Sequence, residues 1–417
     1  MSDCASGVAA YASSTAHKSA SRKMSAKAYE LRDKVSDSER YYIEARYFSS
    51  VQNDAQKALD IYKVWLATYP NDYTALTNSA LLHKQQGDRA EAIRKLELAT
   101  KVAPDQPLAW TNLGQTYFDD GKYADAKRVM ETAIVLQDST GARVVMYQAA
   151  MLIGDLPYAE QQVSAVRGRR DEIDMIGARM SAATYRGRFK EAAELVADFQ
   201  EGALALSRPR VAGNGVVQLA ISEAVVGLTD AAKARIDKAE EDGILDGINV
   251  VDRMGVAALT KDAATAVELL GKPVAEVEAQ QKNAKPGAGP SQGERVVVAL
   301  AKLAEGKPAE AAALLEPVQF QNSVGDAANI WTIAKMQAGD YAAAERGLIY
   351  MTSKDARPSL NATTPFAYAS LARVQVKLGR KDDARKNYQK FLEMFKDTDP
   401  DLPLLIEVKD EVAKLGS

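Results

Sequence analysis

The sequence predicts an all-α fold, a right-handed solenoid of stacked antiparallel helix hairpins. Two observations carry this expectation. A short turn recurs ten times along the 417 residues at a nearly constant interval. Between turns, apolar residues fall at i, i+3, i+4 and i+7, the spacing of one face of a helix. The composition agrees with a packed chain, since 47% of residues are hydrophobic and 26% charged.

The turn appears at Asn53 (NDAQKA), Gly87 (GDRAEA), Gly121 (GKYADA), Gly154 (GDLPYA), Gly187 (GRFKEA) and Gly227 (GLTDAA). It continues at Thr260 (TKDAAT), Gly306 (GKPAEA), Gly339 (GDYAAA) and Gly379 (GRKDDA). Six of the nine steps between these positions are of nearly equal length, and the steps after Gly187, Thr260 and Gly339 are longer. A near-constant period of this size is the signature of a repeat array. One period before Asn53 stands Ser19, which predicts a degenerate first turn there and an array that begins near Ala5.

Each copy reads as two helices. In residues 107–140 the first helix carries Trp110, Leu113, Gly114 and Tyr117 on one face. Gly121 ends it, because glycine accepts the left-handed backbone of a tight stop. The second helix carries Ala126, Met130 and Ala133, and the small Gly114 and Ala126 allow close approach. Pro70 and Pro104 close the preceding copies, since proline cannot continue a helix. Single helices of this length are marginal in water, near the lower limit of about 12–15 residues, so each hairpin depends on its neighbours to bury its apolar face.

The Trp, Leu, Gly and Tyr positions, followed by Ala, a large apolar residue, Ala and Pro at this period, resemble the tetratricopeptide repeat. The resemblance is clearest over 39–72, 73–106 and 107–140 and continues to residue 398. The stretch KAYELRDKVSDSERYYIEARYFSSVQNDAQKALDIYKVWLATYPND and the tail NYQKFLEMFKDTDPDLPLLIEVKDEVAKL also resemble the C-terminal halves of bacterial proteins that carry a protein-kinase or winged-helix domain ahead of such an array. That resemblance implies a sensory or regulatory module of a signalling kinase or transcriptional regulator, as the alternative to a free-standing scaffold.

The longer steps predict where the array is interrupted. Extra residues are expected around 201–215 (EGALALSRPRVAGNG), and an exposed loop over 353–365 (SKDARPSLNATTP). The Pro/Gly/Ser-rich KNAKPGAGPSQGE predicts a connection at 285–293 between an N-terminal array, 1–284, and a C-terminal block, 294–417. A last helix over about 401–415 is expected to cover the final repeat, as terminal repeats must be capped.

Several function classes are excluded or left without support. Net charge is −3, whereas a nucleic-acid binder shows a basic excess or stripe. The sole cysteine, Cys4, cannot form an internal disulfide, and with two histidines, His17 and His83, no Cys/His zinc site is expected. No metal, no cofactor and no catalytic residue is predicted. GAGPSQG at 287–293 has the spacing GxGxxxG with no strand before it, so it reads as linker. VVVALAK, ending at Lys302, reads as repeat helix, because no HRD or DFG follows. His83 is expected to pack on an inner helical face, and Asp119 and Asp120 to sit in a solvated turn. The arginines of VRGRRDE (Arg167, Arg169, Arg170) read as an inter-repeat loop. The N-terminus does not read as a signal peptide and no apolar run is long enough to span a membrane, so the expected location is the cytoplasm.

Function is expected in a groove. Stacked hairpins present their first helices on an extended concave surface that suits peptides or partner helices. The register predicts Thr74, Thr77, Asn78, Leu81 and Lys84 on that face in copy 73–106. In copy 107–140 it predicts Leu108, Thr111, Asn112, Gln115 and Phe118. Asn78 and Asn112 stand one period apart and are equivalent, and an amide offers both donors and an acceptor to a peptide backbone. Leu81 and Phe118 are the expected apolar anchors. The resemblance also implies that the basic and amide set that clamps a chaperone C-terminus is incomplete, because Thr77 and Leu81 stand where its Lys and Asn would be. The aromatic group Tyr41, Tyr42, Tyr47, Phe48, Tyr62, Trp65 and Tyr69 is expected to be mostly core. The predicted activity is non-catalytic binding of a protein or peptide partner, as a scaffold or adaptor, with a kinase or regulator as the partner in the alternative reading.

Overall fold

A computed structural model describes residues 15–245, 271, 273–279, 282, 289–317, 325–353 and 360–416. Cys4, the turn at Thr260 and the start of the expected linker lie outside them. All regular structure among the described residues is helical. The chain packs as two compact units, residues 1–138 and 139–417.

The first unit opens with α1 (Thr15–Glu30) and a short 3-10 turn at Arg32–Lys34. Ser19 lies within α1, so the degenerate turn expected there is helix instead. Three hairpins follow: α2 (Asp37–Ser50) with α3 (Ala55–Thr68), α4 (Tyr73–Gln85) with α5 (Arg89–Val102), and α6 (Pro107–Asp119) with α7 (Tyr123–Leu136). Tyr29 of α1 stacks on Tyr47 of α2 at 4.0 Å between ring centroids, which anchors the leading helix. Of the aromatic group, Tyr62 and Trp65 are buried and Tyr41, Tyr42 and Phe48 pack against them, while Tyr69 is exposed.

The second unit holds α8 (Thr140–Ile153) with α9 (Leu156–Val166), α10 (Glu172–Tyr185) with α11 (Phe189–Ala205), and α12 (Pro209–Val225) with α13 (Thr229–Glu241). After the undescribed stretch come α14 (Gln292–Ala304) with α15 (Pro308–Leu315), α16 (Gly325–Gln337) with α17 (Tyr341–Thr352), α18 (Thr363–Lys377) with α19 (Lys381–Met394), and the final helix α20 (Pro403–Gly416).

The recurring turn has one physical form. Asn53, Gly87, Gly121, Gly154, Gly187, Gly227, Gly306, Gly339 and Gly379 all adopt φ between 53° and 87°, the left-handed region where a Cβ is costly. Where aspartate follows, it caps the second helix. Asp88 accepts from the Glu91 amide at 3.1 Å, Asp155 from Tyr158 at 3.3 Å and Asp340 from Ala343 at 3.2 Å. The Gly-Asp pair thus stops one helix and starts the next. Close approach within the hairpin also holds, since a Cβ on Gly114 would lie 2.8 Å from Met130 Cγ.

The long step after Gly187 has a cause other than an inserted loop. Between Gly187 and Gly227 the helices themselves lengthen, α11 and α12 having 17 residues each. They meet at Ser207, whose φ of 56° makes a further left-handed turn. Gln292 and Gly293, the last two residues of the expected connection, are helix: Ser291 and Glu294 form a capping box, Glu294 N donating to Ser291 Oγ at 3.4 Å and Ser291 N to Glu294 Oε2 at 2.6 Å. Gly293 therefore sits in the first turn of α14. In the expected exposed loop at 353–365, Leu360 and Ala362 are buried, and Leu360 packs with Tyr147, Val163 and Met175 of the first hairpins of this unit.

The last helix does more than cover a neighbour. Leu402, Leu404, Leu405 and Val408 are buried in a core shared with Val216 and Ala220 of α12 and with Tyr388 and Phe391 of α19. The second unit closes on itself, its end packed against its second and third hairpins.

Candidate functional site

The expected groove residues on α4 and α6 fall into three groups. Thr77 and Phe118 are buried, at 4% and 5% exposure, and cannot touch a ligand from that face. Thr77 Oγ1 donates to the Tyr73 carbonyl at 2.8 Å, and the Phe118 ring packs against Tyr123 at 5.5 Å.

Lys84 and Gln115 converge instead on one carboxylate. Lys84 Nζ lies 2.7 Å from Asp119 Oδ2 and Gln115 Nε2 donates to Asp119 Oδ1 at 2.9 Å. Asp119, expected in a solvated turn, is thus a half-buried partner that ties α4 to α6. Thr111 Oγ1 donates back to the Pro107 carbonyl at 3.0 Å. Leu81 is half-buried, and Leu108 and Thr74 are exposed.

The two equivalent asparagines differ. The Asn78 side chain hydrogen-bonds the Tyr62 phenol, whose burial pushes its pKa up. Asn112 has no such partner, and its Nδ2 is buried without a hydrogen bond. One period beyond Tyr62 stands Leu96, which is buried and carries no hydroxyl. The Tyr-to-Leu change between copies therefore frees one rung of the pair.

His83 is ordinary. Its Nδ1 lies 3.3 Å from Asp88 Oδ2 at the helix end, with no nucleophile in the contact. Tyr117 OH donates to Glu97 Oε1 at 2.5 Å, and burial with that carboxylate beside it raises the phenol pKa. Arg167 and Arg170 are exposed on the turn between α9 and α10, as expected. Among the described residues no group of three or more His, Cys, Asp or Glu side chains could hold a metal ion, and no described helix is long and apolar enough to cross a membrane.

A second concave feature was not anticipated. In the second unit α10 and α12 flank a cleft of about 290 Å³ that Asn361 closes from the segment before α18. A Cβ on Gly215 would lie 2.5 Å from Phe199 Cε1, and one on Gly177 would lie 3.1 Å from Phe199 Cε2. The two glycines let the Phe199 ring rise between the helices as the floor. The signal was present in the Gly-Asn-Gly of residues 213–215, which reads as loop until the helix around it is seen.

A tetratricopeptide repeat family model matches residues 77–141, and a second tetratricopeptide repeat model matches residues 367–398. These fall on the α4–α7 hairpins and on α18 and α19, so those hairpins match the tetratricopeptide repeat. A heat-shock protein cognate co-chaperone, sgt12, of Aspergillus fumigatus is 32% identical over 91 residues, 22% of this chain and 27% of that protein. The chain thus spans about a quarter of the curated relative it matches. The crystal structure of a tetratricopeptide repeat protein from Parabacteroides merdae aligns over 94% of this chain and 100% of that one, at 11% identity and a TM-score of 0.31. The matched repeats suggest protein–protein interaction.

Proposed function

We propose that the chain is a non-catalytic scaffold or adaptor that receives a peptide segment or partner helix on the α4/α6 face of its first unit. The observation that carries this reading is Asn112. A buried donor left unpaired costs about 1–3 kcal/mol, and a turn of the half-buried Asn112 side chain that brings Nδ2 to the carbonyl of an incoming backbone would relieve it. Leu108, at 58% exposure, and Leu81 offer apolar contact beside it. Lys84 is held by Asp119, which argues against recognition of a terminal carboxylate and for recognition of a neutral backbone. The kinase or regulator partner rests on the resemblance of the flanking stretches and is the finer form of the same proposal.

The test compares wild type with Asn112→Ala in affinity capture followed by mass spectrometry, with circular dichroism to verify folding. The Asn112 amino group makes no hydrogen bond within the protein, so the variant is expected to fold normally and to lose a partner that wild type retains. Equal capture by the two proteins would move the interaction off this face.

A further inference from the structure

We propose that the second unit is a ring that opens, and that an ionic clasp at its seam sets the balance between the closed and open forms. The seam runs between the turns at Gly187 and Gly227 on one side and residues 397–404 on the other. On opening, α18, α19 and α20 move away from α10–α13 as one block.

The clasp joins two short strips of opposite charge. Arg-Gly-Arg-Phe-Lys, residues 186–190, faces Asp-Thr-Asp-Pro-Asp, residues 397–401, so charged and uncharged residues alternate on both sides. Arg186 Nη2 lies 2.7 Å from Asp397 Oδ2, Arg188 Nε donates to the Asp397 carbonyl at 3.2 Å, and Lys190 Nζ lies 3.3 Å from Asp401 Oδ1. The Asp399 carboxylate accepts from the Lys190 amide at 3.0 Å, which fixes the register. The outer pair faces water, with the Lys190 and Asp401 side chains 70% and 69% exposed. Exposed ion pairs are weak singly and are screened by salt. The apolar core favours the closed ring at every salt concentration; the clasp adds the part that responds to ionic strength.

Other pairs decide which elements move together. Arg373 of α18 donates from Nε to Glu411 at 3.0 Å and from Nη2 to Glu407 at 2.8 Å. The buried Tyr388 of α19 donates its hydroxyl proton to Glu411 Oε2 at 2.8 Å, and Arg385 Nη2 donates to the Leu415 carbonyl at 2.7 Å. These bonds tie α20 to α18 and α19 along its length. By contrast α18 meets α10 and α12 only sparsely. Release of the clasp therefore parts the unit at the seam, a sub-global opening in which the hairpins stay folded. It divides the core that α12 shares with α19 and α20 and withdraws Leu360 from Tyr147, Val163 and Met175. The open form presents apolar surface that the closed form hides, and the device is independent of the first-unit face.

The test measures distances by double electron–electron resonance in the full chain, with Cys4→Ser as background and nitroxides on introduced cysteines. Glu194→Cys with Lys409→Cys spans the seam, and Lys386→Cys with Lys409→Cys lies within the block; all three positions are exposed. At low salt one seam distance is expected. Asp397→Lys/Asp401→Lys is expected to raise a longer-distance population at least tenfold, and adding Arg186→Glu/Lys190→Glu to restore the short one. The unaltered clasp should open in the same way at 1 M NaCl, where the screening length falls to about 3 Å. The within-block distance should stay constant throughout, and circular dichroism should show unchanged helix. A seam distance that salt leaves unchanged overturns the proposal, and this arm needs no substitution in the clasp. Lengthening of the within-block distance also overturns it, because α20 would then be peeling away alone. So does a fourfold variant that stays open with its helix intact, which would place the effect in packing and not in charge.

Discussion

Arg186 Nη2 lies 2.7 Å from Asp397 Oδ2, across 211 residues of chain. Around this pair two short segments meet side by side. Lys190 N donates to Asp399 Oδ2 at 3.0 Å, and Lys190 Nζ lies 3.3 Å from Asp401. Thr398 Oγ1 and the Asp399 amide both donate to the Gly187 carbonyl, at 2.8 and 3.2 Å. One turn further on, the Leu404 amide donates to the Val226 carbonyl at 3.1 Å. The start of α20 is thus seated on the Gly187 and Gly227 turns.

Gly187 should therefore be less replaceable than other turn glycines. An L-residue in the left-handed region costs about 1–2 kcal/mol by itself. Gly154, at φ 80°, has nothing within 4 Å of an added Cβ, whereas at Gly187, φ 73°, that Cβ would collide with Thr398 Oγ1. Gly154→Ala is expected to lower stability by about that backbone amount. Gly187→Ala is expected to cost more and to raise amide exchange over residues 397–404. Chemical denaturation with hydrogen-exchange mass spectrometry checks both; equal effects of the two substitutions would mean that the seating contributes nothing.

The recurring turn was legible because a left-handed backbone needs glycine or asparagine whatever surrounds it, a local requirement written at each copy. The closure was not legible, because Asp397, Asp399 and Asp401 read as a polar tail until their partners far back in the chain are known. Which side chains of α4 and α6 are exposed was not legible residue by residue. Thr77 and Asn78 are adjacent on α4, yet one is buried and the other is not, and periodicity alone does not resolve a single step of the helix. The difference between Asn78 and Asn112 depends on Tyr62 against Leu96, a contact from another helix.

Asp340 links stability to pH. The Lys335 ammonium, at 3.1 Å, and then the Ala343 amide hold its carboxyl below the usual aspartate range. A lowered folded pKa gives stability that is present above the unfolded value, about 3.9, and lost as pH falls through the folded value. Asp340→Asn keeps the amide cap and removes the charge. Urea midpoints at pH 6, 4 and 3 should show the wild-type advantage in full at pH 6 and its decline as pH falls below 4. A difference that stays constant over this range would refute the assignment.

Glu223 on α12 is 3% exposed at its side chain and forms a two-pronged pair with Arg235 of α13, at 2.8 and 2.6 Å. Breaking such a pair from one side leaves a buried charge without a partner, at about 3–5 kcal/mol. Arg235 retains 20% exposure, so the cost of Glu223→Ala is expected near the lower end. The double replacement Glu223→Leu/Arg235→Met removes both charges and should recover most of the loss. Denaturation midpoints of the two variants decide this, and a double variant as unstable as the single one would place the cost in packing instead of charge.

Gly215 sets the floor of the second-unit cleft. An added Cβ would lie 2.5 Å from Phe199 Cε1 and 2.6 Å from Cδ1, inside a helix whose backbone cannot give way without moving α12. Overpacking of this kind costs about 1–3 kcal/mol, against a gain of about 1 kcal/mol in helix propensity from Gly to Ala, so Gly215→Ala should be destabilising on balance. Gly141, on the first turn of α8, has nothing within 4 Å and should show the propensity gain alone. Shrinking the ring relieves the clash, so Gly215→Ala/Phe199→Leu should be more stable than Gly215→Ala. If Gly215→Ala is instead as stable as Gly141→Ala, then Phe199 does not press against α12 and the cleft has no aromatic floor.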